Sequence, residues 1–290
     1  MSDRSRIEWT DATWNPITGC SPVSEGCVHC YAARMAKRLA GRCGYPADNP
    51  FQVTEHSEKL EEPLAWKKPR RVFVCSMGDL FHDDVGTSVR RIIWQTMARA
   101  HWHTFIVLTK RPDRMWSFIN SLIHEKDFFA DAWEGPGEAT DRFPNVWLGV
   151  SAENQQRADE RIDVLQQIPA AKHFVSFEPL LGLITPLLKG IDWVICGGET
   201  GSDARPMHPD WVRGLRDQCQ AAGVPFFFKN WGNWVPNDDR NAVWGSRYHM
   251  PWNYHTWDYV SGFQSVRVGK KRAGRLLDGR EWNEFPQELR

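Results

Sequence analysis

Apolar residues along this chain fall in short continuous runs, each closing on polar or glycine residues. Six stand out: RVFVCSMGD (71–79), TFIVLTKRP (104–112), NVWLGVSAE (145–153), KHFVSFEPL (172–180), DWVICGGET (192–200) and VPFFFKNWG (224–232). Unbroken apolar runs of this length are the pattern of strands buried on both faces. The segment 7–14 (IEWTDATW) predicts a seventh strand, leading into a cysteine cluster. Between the runs the period changes to that of a helix. Residues 87–100 place Val89, Ile92, Ile93, Met97 and Ala100 on one stripe, and residues 154–168 do the same with Ala158, Ile162, Leu165 and Ile168. Residues 209–222 open at Pro209, suited to a first helical turn, and stop before Gly223. Strands alternating with helices imply parallel pairing and right-handed crossovers. The predicted class is α/β: a partial or complete parallel (β/α) barrel, with a doubly wound open sheet as the alternative.

Two segments break the rhythm. Residues 124–144, containing EGPGEATDRFP, look like an insertion. Residues 233–290 are Trp-rich and partly basic, with few apolar runs and with Arg267, Lys270, Lys271, Arg272 and Arg275 close together. The expected division is a barrel over 1–232 and an irregular C-terminal extension over 233–290 that packs on it or lids it. A length of 290 residues is ordinary for one such barrel. No stretch approaches the roughly 20 apolar residues that span a bilayer. The polar start MSDRSRIEWTD lacks the apolar core of a signal peptide, so a cytoplasmic protein is expected. The 36 basic and 36 acidic side chains balance, which argues against a general electrostatic grip on nucleic acid and leaves only local patches.

Of the seven cysteines, three crowd into GCSPVSEGCVHCYAARMAKRLAG as Cys20, Cys27 and Cys30, a C-x6-C-x2-C spacing ahead of a helix candidate at 28–40. An odd count and no export signal make a disulfide framework a poor reading. A structural zinc needs four protein ligands. An iron–sulfur cluster that binds a further molecule is held by thiolates and leaves one iron open. His29 or Cys43 could supply a fourth ligand, so zinc stays open at this point. Cys75 and Cys196 lie within strand runs and Cys219 within a helix pattern, the places of small buried hydrophobes.

In a parallel barrel the carboxyl ends of the strands meet at one mouth. Here those ends carry Ser76, Met77, Gly78 and Asp79; Lys110 and Arg111; Ser151, Glu153 and Asn154; Glu178; Gly197, Gly198, Glu199 and Thr200; Lys229 and Asn230. Each has a plainer reading: a strand-to-helix turn for 76–79, a helix cap for 151–154, a surface pair for Lys110 and Arg111, and a structural ion pair for Glu178 and Lys229. His82 lies near the same mouth, while His101 and His103 read as structural.

The cysteine spacing resembles the radical SAM superfamily, although its commoner spacing is C-x3-C-x2-C. More closely, IEWTDATWNPITGCSPVSEGCVHCYA, SMGDLFH, LTKRP, SFEPLLG, GGETG and FFFKNWG look like a phage-associated family of radical-SAM-like proteins. The resemblance implies a [4Fe–4S] cluster on Cys20, Cys27 and Cys30, with S-adenosyl-L-methionine (SAM) on the fourth iron. A low-potential donor such as flavodoxin or ferredoxin would reduce the cluster, and SAM would be cleaved to a 5′-deoxyadenosyl radical. Cofactor-binding roles then fall to Ser76, Met77, Gly78, Asp79, Lys110, Ser151, Glu153, Gly197, Gly198 and Glu199, and substrate roles to Arg111, Glu178 and Lys229. The basic tail, with Trp244, Trp252 and Trp257 before it, suits a nucleotide or DNA base as substrate. Two other functions stay open: a zinc-binding module that recognises nucleic acid or protein, and a metal-independent hydrolase using Asp79, Glu153, Glu178 and Glu199.

Overall fold

A computed structural model describes residue 5 and residues 7–123, 143–237 and 255–287. Most of the expected insertion near 124–144, and both Trp244 and Trp252, lie outside the described residues. The chain opens with β1 (Ala12–Trp14), then β2 (Ile17–Thr18), α1 (Tyr31–Leu39) and β3 (Thr54–Glu55), which pairs antiparallel with β2. There follow β4 (Arg71–Val74), α2 (Thr87–Arg99), β5 (Thr104–Thr109), α3 (Pro112–Ile123), β6 (Val146–Ser151), α4 (Gln155–Gln166), β7 (Lys172–Phe177), β8 (Trp193–Gly197), α5 (Pro209–Ala222) and β9 (Phe226–Asn230). Seven strands form one parallel sheet in the order β1-β4-β5-β6-β7-β8-β9.

Spatial order follows chain order throughout, so the doubly wound alternative, which reverses at a switch point, is excluded. The end strands β1 and β9 do not pair, and the sheet curls into an open half-barrel. The curl is visible in one residue. Trp9, just ahead of β1, has its ring 4.8 Å from Phe73 on β4 and 6.0 Å from Trp193 on β8, five strands away across the sheet.

Each apolar run divides by alternation between two separate cores. Val72, Val74, Phe105, Val107, Leu148, Val150, Val175, Phe177, Val194, Cys196, Phe226 and Phe228 belong to the larger core. Trp9, Ile106, Trp147, Phe174, Trp193, Ile195 and Phe227 fill the inside of the curl, with Phe73, Leu108 and Phe285 against them. Because side chains alternate along a strand, two residues further on the inward positions become Gly149, Ser176 and Lys229, then Ser151 and Glu178. The interior thus passes from an aromatic floor to a polar mouth.

The tail closes the other end. Phe285 stacks 5.2 Å from Trp193 and 5.4 Å from Phe227. Phe228 N–H donates to Trp282 O at 2.9 Å, and Phe227 bridges Asn283 antiparallel, so residues 282–284 cover the free edge of β9. Between them and β9, β10 (Trp234–Pro236), β11 (Thr256–Asp258) and β12 (Gln264–Arg267) form a small antiparallel sheet, followed by α6 (Lys270–Ala273).

The structure departs from the sequence pattern at definite places. Ile92 is 39% exposed, while Arg90 and Trp94 take the buried face of α2. Arg90 donates to Leu80 O at 3.0 Å and His82 O at 2.7 Å, so the loop after β4 sets the rotation of the helix. Helix α3 starts on Pro112 directly after β5, where no helix was expected. No helix joins β7 to β8; residues 180–190 run irregularly.

Trp193 touches Trp9, Trp147, Phe174, Phe227 and Phe285. Trp193→Ala is expected to destabilise the protein by about 3–5 kcal/mol, read as a lower urea midpoint. Ile92→Ala should stay within about 0.5 kcal/mol of wild type, and a large loss there would contradict the observed rotation of α2.

Candidate active site at the cysteine loop

The cysteine loop hangs from the turn that ends β4. Gly19 adopts φ +89, and a side chain there would lie 2.0 Å from Gln52 O, so only glycine fits. Gly19 N–H donates to Met77 O at 2.9 Å, and Gly19 forms a parallel bridge with Gly78. Asn15 Oδ1 fixes that turn by accepting from Met77 N–H at 2.9 Å and Ser76 Oγ at 3.2 Å. A 3-10 turn over Glu25–Cys27 carries the chain to α1, whose N-cap is Cys30. Cys20, Cys27 and Cys30 are free thiols, all partly exposed; Cys75, Cys196 and Cys219 are buried, as the strand runs of the first two and the helix pattern of the third imply.

The end of β5 grips this loop with two neighbouring cations. Arg111 Nη1 lies 3.4 Å from Cys20 Sγ and 3.0 Å from Asp79 Oδ2, while Nη2 donates to Ser21 O and Oγ, both at 3.0 Å. Asp79 is fixed in turn by Thr109 Oγ1 at 2.8 Å and by Phe81 N–H at 2.9 Å. His82 Nε2 meets Ser21 Oγ at 2.7 Å. Lys110 Nζ reaches Glu153 Oε2 at 3.2 Å and Ser24 Oγ at 3.5 Å. Glu153, fully buried, also accepts from Arg161 Nη1 at 3.2 Å and from Gly26 N–H at 3.4 Å. A side chain at Gly26 would meet Lys110 Nζ at 2.6 Å, so the loop lies directly on this pair.

These surroundings make the thiols unequal. Burial, then the charge of Asp79, pushes Cys20 up to about 11 against the opposing pull of Arg111. Burial also acts to raise Cys27, but the Lys110 charge and hydrogen bonds from Val23 and Ser24 outweigh it and hold that thiol below its ordinary value. Burial likewise works against ionised Glu153, yet Lys110, Ser24 and Arg161 keep its carboxyl below the usual range.

On the far side of the loop, Glu199 Oε2 lies 3.0 Å from His29 Nδ1 and accepts from Arg205 N–H at 2.8 Å; Arg205 Nη2 reaches Glu199 Oε1 at 2.6 Å. Arg205 also holds Glu25 O at 3.1 Å, and Arg34 holds Thr200 O at 2.6 Å. Asn154 caps α4 through Arg157 N–H and donates to Glu25 Oε1. Deeper in the barrel, Lys229 Nζ and Glu178 Oε1 stand 3.0 Å apart, with Ser176 Oγ donating to Glu178 Oε2 at 3.2 Å. A side chain at Gly197 would strike Glu178 Oε1 at 2.5 Å, so that position leaves room for the carboxylate.

The structure therefore brings Asp79, Lys110, Arg111, Glu153 and Glu199 onto the cysteine loop, with Ser76, Met77 and Gly78 as its shelf. Glu178 and Lys229 pair with each other below it. Ser151 gives its carbonyl to Arg161, and Gly198 lies against the backbone of Trp231. All four candidate carboxylates of a hydrolase are paired with cations. Glu153 and Glu199 are held low, opposite to what a general acid requires. Among the described residues, no three His, Cys, Asp or Glu side chains are placed to hold a single metal ion.

One family model matches residues 4–286, nearly the whole chain: DUF5131, protein of unknown function. The chain belongs to the DUF5131 family. No curated protein matches it. Among solved structures, it is similar to a spore photoproduct lyase complexed with dinucleoside spore photoproduct, at 11% identity and a TM-score of 0.45, over 94% of this chain and 72% of that one. A likeness this distant bears on neither chemistry nor substrate.

Two surface hollows in this DUF5131 chain lie at the opposite end, beside the amino ends of the strands. One is lined by residues including Lys172, Asp192 and Pro225, the other by residues including Arg71, Thr104 and Trp147. The sequence pattern did not single out Arg161, Arg205, Arg34 or Asn15. Arg161 had one available signal, as a cation beside the apolar stripe of α4, and Arg34 lies within the helix expected after the cysteines; Arg205 and Asn15 sit in segments without a period.

Glu153→Gln is expected to cost about 3–5 kcal/mol, because Lys110 and Arg161 lose their buried counter-charge. A carboxylate held below its unfolded value stabilises above that value, and the contribution is lost as pH falls through the folded one. The difference between wild type and variant should therefore be full at neutral pH and narrow below pH 4.5 in urea melts. A difference independent of pH would contradict the assignment.

Proposed function

We propose that this chain is a radical SAM enzyme whose Cys20, Cys27 and Cys30 hold a [4Fe–4S] cluster at the mouth of the half-barrel. The observation that carries the reading is the placement of three free, partly exposed thiols on one loop over the carboxyl ends of a parallel barrel, with Arg111 at Cys20 and Lys110 beside Cys27. Thiolate is the ligand form, and a nearby cation favours it. Such a cluster would take one thiolate at each of three irons and leave the fourth open, so its ligands stand apart and need not converge on a single ion as four zinc ligands do. His29 turns Nδ1 to Glu199, and Cys43 is exposed at φ +54. The Glu199 contact leaves His29 Nε2 free, but among the described residues no three His, Cys, Asp or Glu side chains are placed to hold one metal ion, as a closed zinc site would require. When bound, such a cluster supplies the electron that cleaves S-adenosyl-L-methionine to a 5′-deoxyadenosyl radical.

The chain's own residues would position the partners and exclude water. The backbone of Ser76, Met77, Gly78 and the carboxylate of Asp79 border the loop where the amino end of SAM would lie. Lys110, Ser151, Glu153, Gly197, Gly198 and Glu199 line the remaining cofactor side. Glu178 and Lys229, inside the barrel and below α1, would face the substrate, with Arg111 closing the loop above. For substrate we favour a nucleotide or DNA base, supported by half-exposed Trp257 and the exposed Lys270 and Lys271 of α6. On this reading residues 1–232 are the catalytic unit and 233–290 an extension. The electron would come from a cytoplasmic flavodoxin or ferredoxin. No described helix is long and apolar enough to cross a membrane.

Anaerobic reconstitution with iron and sulfide should give about four irons per chain and 5′-deoxyadenosine once SAM and a strong reductant are added. Cys27→Ala should lose both. Full iron content with no 5′-deoxyadenosine under any reductant would overturn the catalytic half of the reading.

A further inference from the structure

We propose that the buried Arg111–Asp79 pair sets how easily the cluster is reduced, acting with opposite signs through the sulfur of Cys20. The proposal rests on the cluster reading above. Arg111 is 8% exposed and Asp79 is 6% exposed, so their charges act at short range in a medium that screens them little. Arg111 cannot swing away. Its Nη1 spans Cys20 Sγ at 3.4 Å and Asp79 Oδ2 at 3.0 Å, and its Nη2 is tied to Ser21 O and Oγ at 3.0 Å. Asp79 is equally fixed, by Thr109 Oγ1, Phe81 N–H and Lys110 N–H.

Hydrogen bonds to the sulfurs, net charge and exposure set the potential of such clusters. Reduction adds one electron from an external low-potential donor and makes or breaks no bond in the pair. The added negative charge is stabilised by a cation that donates N–H to a ligand sulfur, and destabilised by a carboxylate beside it. Arg111 thus raises the potential and Asp79 lowers it. A residue that merely held the loop in place would do neither selectively: losing either partner would loosen the same loop in the same direction.

Wild type, Arg111→Met, Arg111→Lys and Asp79→Asn are reconstituted anaerobically. Each is then titrated against mediator dyes, with the reduced cluster followed by electron paramagnetic resonance and iron content measured alongside. Arg111→Met should become at least about tenfold harder to reduce, about 59 mV lower for a one-electron couple. Asp79→Asn, close to the same shape, should shift upward. Arg111→Lys should fall between wild type and Met, because it keeps the charge and loses the fork. If Arg111→Met does not retain iron, Asp79→Asn alone decides: an upward shift supports the proposal, and no shift or a downward one overturns it. Equal potentials, or shifts of one sign, across variants that hold full clusters overturn this inference and leave the cluster reading standing. A wild type that assembles no cluster overturns both.

Discussion

A charge removed from water must keep a counter-charge within reach, and that constraint shapes the mouth of this half-barrel. Lys110 and Arg111 are adjacent at the end of one strand, yet each is held by its own carboxylate: partly buried Lys110 by Glu153 at 3.2 Å and buried Arg111 by Asp79 at 3.0 Å. Such pairs add little net stability over an apolar filling, but removing one member is costly. What the two pairs achieve here is position. Through Ser21, Ser24 and Gly26 they hold a loop whose two valines, Val23 and Val28, are exposed. The loop presents its thiols because these charges cannot separate.

The barrel beneath supplies the rigid frame. Alternation places one set of apolar residues against the helices and another inside the curl, where aromatic rings from β4, β6, β7, β8 and β9 meet Trp9 and Phe285. Above that floor the inward positions become small or charged, and the Glu178–Lys229 pair sits between floor and loop. Burial tends to strip the charge from Lys229, but Glu178, and further off Glu8 and Tyr31, outweigh it and raise its pKa. The ion pair is thus kept intact above the aromatic floor.

Much of this was legible in the sequence because it rests on period. All seven parallel strands, and helices α2, α4 and α5, follow from apolar runs and stripes, and the polar strand ends do meet at one mouth. The misses share a cause. Ile92 lost the buried face of α2 to Arg90, whose hydrogen bonds to Leu80 and His82 are invisible to a hydrophobic pattern. The segment after β7 lacks a helix, and the strands β10 to β12 arise from a tail with little periodic signal. In the site, candidate residues could be named by type and position, but not who pairs with whom. Arg111 is a candidate substrate residue by sequence, and its contacts to Cys20 and Asp79 could not be read from its position alone. Arg205, which closes Glu199, gave no signal at all.

The central claim is that three loop thiols gather around iron while leaving a place open. X-ray absorption at the iron and zinc edges of protein purified anaerobically without added metal tests it most directly. The expected result is iron in a sulfur shell with short iron–iron distances, lost when Cys20, Cys27 and Cys30 are replaced together. Stoichiometric zinc with four protein ligands, or no metal at any of the three thiols, would contradict it.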